Sequence, residues 1–117
     1  MNDTEFENRI ISAFPAFKSY WESEDIYREE NGAFLNNGLM KSLYHFFNFE
    51  YSTVNSNELE TLGKELEKII SENPTLDNDR TNAIVVEFYE LMVDTSMGKV
   101  LEPYRGKLSK KLWRSKS

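Results

Sequence analysis

"VNSNELETLGKELEKIISENP", residues 54–74, decides the fold class. Leu59, Leu62, Leu66, Ile69 and Ile70 recur in steps of one, three and four opposite Glu60, Lys64, Glu65, Glu67 and Lys68, the period of a helix with one wet face. Asn55 ahead of Glu58 has the pattern of a helix cap, and Pro74 ends the segment.

Reading outward, the same period continues. After "TLDNDR", Asp79 or Thr81 can cap a helix running to about Val93. Its Ala83, Ile84, Val86, Phe88, Leu91 and Met92 are too apolar for an exposed element, which makes it the central helix. Upstream, Leu39, Leu43, Phe46, Phe47 and Glu50 fit a helix that Asn37 could cap. Residues 47–54 also alternate as a half-buried strand would, but no second strand is at hand to pair with them.

A first helix is expected to begin near Asn2 or Asp3, where Thr4 with Glu7 has the form of a capping box and Phe6, Ile10 and Phe14 follow at four-residue steps. Pro15 breaks this helix and suits the first turn of a second over 15–22, with Phe17, Tyr20 and Trp21 turned inward. Residues 23–38 lose the period, and "ENGAFLNNG" reads as a loop with Phe34 and Leu35 tucked under it. Loops of that length in small domains are more often functional than not. The prediction is a single-domain all-α bundle of about five to six helices over 1–117, with a long acidic loop near 23–38 and a basic segment at 103–117.

The apolar fraction of 39%, with eight Phe, six Tyr and two Trp, supplies enough packing material to rule against disorder despite 29% charged residues. Cysteine is absent, so disulfides, thiolate catalysis and cysteine metal sites are excluded, and a cytoplasmic location fits. "MNDTEFENRI" lacks the basic and apolar regions of an export signal, and Glu87 and Glu90 interrupt the longest apolar run, so neither export nor a membrane span is expected. The net charge of −6 conceals an asymmetry: all twenty acids and eight bases lie in 1–102, and six bases and no acid in 103–117. An acidic body repels nucleic acid and membrane phosphates and attracts basic proteins.

No catalytic or metal motif is present, and no cofactor is expected. His45 is the only histidine and lies among aromatics without an orienting partner nearby, so it reads as a packed side chain. Asp77 and Asp79 occupy the first and third positions of a calcium-loop pattern, but Asn82 stands where glycine is needed and Phe88 where a bidentate glutamate is needed. Glu87 and Glu90 could share a face as a carboxylate pair; with Asp94 they read better as the wet edge of the central helix. The basic tail, with Leu108 and Leu112 one turn apart, could contact nucleic acid or membrane, yet it reads better as folding back on its own acidic body.

"YWESEDIYREE", residues 20–30, mixes large aromatics with five carboxylates and one arginine. Buried aromatics and solvated carboxylates need different surroundings, which marks the segment as a candidate interaction surface. The size, acidity and helical layout, with "SAFPAF" at 12–17 and "TNAIVVEFYEL" at 81–91, resemble small bacterial immunity proteins, cytosolic inhibitors of contact-dependent and other polymorphic toxins. The resemblance implies a non-enzymatic inhibitor that occludes the active site or substrate groove of a basic toxin domain, commonly a nuclease. On that reading the partner contacts are Trp21, Glu24, Asp25, Tyr27, Glu29 and Glu30, with Glu87, Glu90 and Asp94 as a second patch. The alternative is a regulatory or adaptor module that works through its basic tail. The oligomeric state is left open.

Overall fold

The computed structural model describes residues 1–116 and folds them into an all-α arrangement. Helix α1 (Asp3–Ala13) begins where expected, near Asn2 or Asp3; the Asn2 side chain accepts from the Glu5 amide at 2.8 Å, so the cap is Asn2 and not the Thr4 of the capping-box pattern. Pro15–Phe17 forms a 3₁₀ turn into α2 (Lys18–Ser23), as the proline position requires. Helix α3 (Asn36–Phe49) follows a loop, and α4 (Ser56–Glu72) begins where Asn55 accepts from the Glu58 amide at 3.2 Å. Helix α5 (Asp79–Ile84) is capped by Asn78, one residue before the expected Asp79, and runs on through a π-helical segment, Val85–Glu90. Two short helices, α6 (Ser96–Leu101) and α7 (Lys107–Lys116), complete the chain. Seven α-helices lie among the described residues, one more than the upper end of the expected five to six.

Residues 47–54 form no strand: α3 continues to Phe49 and the chain then turns, so Phe46 and Phe47 both enter the core. The α2–α3 loop is shorter than expected because Asn36–Gly38 belong to the first turn of α3, and Leu35 lies outside, 69% exposed, instead of tucked beneath.

The core is aromatic. Phe14 stacks on Phe47 with centroids 5.1 Å apart and meets Phe46 and Tyr51 edge-on, while Phe47 reaches Phe88 of the π segment at 5.8 Å. Each such buried ring contributes about 1.5–3 kcal/mol from burial alone. Helix α1 lies antiparallel on α4: Arg9 bonds Glu65 and Glu72, while Ser12 and Ala13 lie beside Thr61. Helices α3 and α5 advance in the same sense, since Asn37 neighbours Asn82, Lys41 pairs with Glu87, and Asn48 reaches Met92.

The central helix buries Thr81, Ala83, Ile84, Val85, Phe88, Tyr89 and Met92. Val86 is left half-buried and Leu91 exposed, against the expectation for both.

The basic segment docks on the body. Leu108, Leu112 and Trp113 pack against the core, and Arg105 lies 4.6 Å above the Tyr89 ring with its side chain 6% exposed. Helix α7 borrows its cap: Glu67 of α4 accepts the Leu108 amide at 2.6 Å and the Ser109 amide at 3.3 Å. Ser117 and the side chain of Lys116 lie outside the described residues. The radius of gyration, 13.2 Å, matches the roughly 13 Å expected of a compact chain this long. No helix among the described residues is long and apolar enough to cross a membrane.

Candidate partner-binding surface

The chain leaves α2 through a turn fixed by its own side chains. Glu24 accepts from the Ile26 amide at 3.1 Å and Asn31 from the Ala33 amide at 2.9 Å. Gly32, at φ 85°, supplies the left-handed residue that lets the Glu29 amide reach the Ala33 carbonyl at 2.8 Å, and Arg28 pairs with Phe34 in an antiparallel bridge. The result is a small hairpin-like finger over residues 24–35.

Two anchors hold the finger down. Trp21 is completely buried; its indole N–H donates to Glu7, and the Arg28 guanidinium lies 4.1 Å above its ring while bonding the same Glu7 carboxylate at 3.2 Å. Trp21 was expected among the partner contacts, and the structure corrects this. Its indole is the floor of the finger, because Arg28 and Phe34 cover the ring.

Tyr27 forms the second anchor. Its ring stacks on His45 at 6.1 Å, its hydroxyl lies 3.0 Å from His45 Nε2, and its Cβ rests against Gly38 of α3. Tyr27 therefore turns inward, half-buried, and Glu24 is half-buried with its carboxylate engaged in the turn. Of the first group, Asp25, Glu29 and Glu30 are exposed, and among the described residues none of the three is ion-paired.

Between these carboxylates the finger displays hydrocarbon that the sequence reading missed. Ile26 is 74% exposed, and with Leu35 it flanks an open groove of about 310 Å³ whose wall includes Phe34, Tyr27 and Lys41. Phe49, also 74% exposed, lies nearly parallel to His45 with centroids 5.8 Å apart and adds exposed hydrocarbon at the end of α3. A signal existed for Phe49, which falls out of phase with Leu39, Leu43, Phe46 and Phe47. Nothing local distinguishes Ile26 or Leu35 from a core residue.

Of the second group, Glu87 approaches the groove through Lys41, 3.6 Å away. Glu90 is half-buried and Asp94 exposed, and neither lines the groove. The two bases in the groove wall thus have internal partners, Arg28 with Glu7 and Lys41 with Glu87. What the finger presents outward is Ile26 and Leu35 together with the carboxylates of Asp25, Glu29 and Glu30. His45 sits between two rings, and no three acidic or histidine side chains among the described residues come together as a metal site.

No family model matches the chain, and neither a curated protein nor a solved structure shows significant similarity to it.

Proposed function

We propose that this chain is an immunity protein that binds a cognate bacterial toxin domain, a basic nuclease by the charge argument, and occludes its active site or substrate groove in the cytoplasm. The observation that carries the reading is the α2–α3 finger: Ile26 and Leu35 are exposed on a loop that also carries the exposed carboxylates Asp25, Glu29 and Glu30. Exposed hydrocarbon at the centre and charge at the edge is the layout of protein interfaces, where a few apolar anchors carry affinity and the charged rim speeds encounter. An inhibitor of this kind needs no chemistry. The molecule measures 36 × 33 × 22 Å, so its broad face accommodates the roughly 800 Å² per partner of a standard interface.

The test is co-expression with the basic toxin domain encoded beside it. Relief of toxicity and a stable complex are expected; persistence of toxicity with both chains present at equal level would end the proposal. Neutralising Asp25, Glu29 and Glu30 together should slow association about tenfold and flatten its salt dependence. The adaptor reading has a separate test in the exposed bases of α7. Replacing Lys107, Lys111 and Arg114 with alanine should leave neutralisation unchanged, and loss of it would favour that reading.

A further inference from the structure

We infer that the groove between Ile26 and Leu35 receives an aliphatic or aromatic side chain of a protein partner that is flanked by lysine or arginine. This rests on the protein-binding reading above and assigns its anchor point. At about 310 Å³ the groove lies at the lower bound of small-molecule sites, roughly 300–1,000 Å³, and suits one or two side chains better than a cofactor. Ile26, Phe34 and Leu35 give its wall hydrocarbon beside Arg28, Glu29, Asn37 and Lys41, and Ile26 and Leu35 are 74% and 69% exposed.

The groove is also pre-organised. Arg28 locks the finger to Trp21 and Glu7 beneath it, and Tyr27 locks it to His45 and Gly38 beside it. Little ordering remains to be done at the moment of binding, which is the usual drain on loop-mediated affinity.

Charge selects the occupant. Glu29 lines the groove, and Asp25 and Glu30, its exposed neighbours in the chain, add two more carboxylates to the finger, while the bases in the groove wall are already matched by Glu7 and Glu87. A second copy docking through the same face would bring these carboxylates against their own equivalents across a twofold axis. A cation beside the anchoring side chain meets them instead.

The experiment uses the full chain and labelled synthetic peptides followed by fluorescence anisotropy. One carries tryptophan flanked by lysines, the second alanine in the same lysine frame, and the third tryptophan flanked by glutamates. The first should bind, the second at least tenfold more weakly, and the third not at all; L35D and I26D should each abolish binding of the first. Both side chains are exposed, so melting temperature and circular dichroism should be unchanged. Equal binding of the alanine peptide, undiminished binding by L35D and I26D, absence of binding by the first peptide, or self-association through this face in sedimentation would each overturn the inference. Co-expression separates the two proposals. If wild type fails to relieve toxicity the inhibitor reading falls, whereas full relief by both L35D and I26D leaves that reading standing and removes the groove from it.

Discussion

Replacing Glu67 with alanine removes the cap that α4 lends to α7. Each carboxylate oxygen takes one amide, Leu108 at 2.6 Å and Ser109 at 3.3 Å, at the helix end where negative charge is favoured. A lost N-cap costs about 0.5–2 kcal/mol, and hydrogen bonds to a charged acceptor run to roughly 1.5–3 kcal/mol. Glu67 is only half-buried, so water recovers part of this and the expected loss is about 2–3 kcal/mol. For a chain of this length that lowers the melting temperature by roughly 8–12 °C. Glutamine retains one acceptor and should lose about half as much. Gly106 offers an independent route, because a methyl there would overlap the Glu67 carboxylate, so G106A should reproduce the loss. The two changes break one interaction, and the double variant should be barely worse than either single. Calorimetry on the four variants, with trypsin cleavage of the tail as a second readout, decides it. An E67A melting temperature equal to wild type, or full additivity with G106A, would refute the capping argument.

Two further outcomes follow from packing and burial. In G38A the new methyl lies 2.9 Å from Tyr27 Cβ, so Tyr27 must leave its seat even as the helix gains about 0.5–1 kcal/mol in propensity; stability near wild type is expected, with faster trypsin cleavage at Arg28 and at least tenfold weaker peptide binding, and unchanged binding would show that Tyr27 does not shape the groove. At alkaline pH, burial raises Tyr89 above its ordinary 10.0, with the Arg105 guanidinium opposing in part, and burial also raises Tyr20 and Tyr51. Above that pH the unfolded chain releases phenolic protons that the native state retains, so stability should fall by about 1.4 kcal/mol per pH unit for each tyrosine still withheld. Urea midpoints on either side of pH 10 check this, and Y89F should remove part of the slope.

The local signals in this sequence were strong where one residue does one job. Asn55, Pro15 and Pro74 marked helix ends that the structure reproduces, and the stripe from Leu59 to Ile70 is buried as its period implied. Where side chains act across the chain, the sequence was silent. Glu65 and Glu67 read as a wet face, yet one binds Arg9 of α1 and the other caps α7. Trp21 read both as turned inward with Phe17 and as a partner contact; it is buried, and what its period could not show is that Glu7, fourteen residues earlier, and Arg28, seven later, enclose it. Tyr27 turns inward because Gly38 has no side chain to hold it off, a dependence no local pattern carries. Val86 and Leu91 were placed inside for their apolar character alone, although at the ordinary helical period Val86 falls off the face that Ile84, Phe88 and Met92 share.

The burial of Trp21 also makes the protein its own optical gauge. The two tryptophans report on separate places: Trp21 lies under the finger against a cation and an edge-on phenylalanine, and Trp113 lies on the docked tail. With Trp113 replaced by phenylalanine, all indole emission would come from beneath the groove. Engagement of the finger could then be followed without a label, through a chromophore that no partner touches.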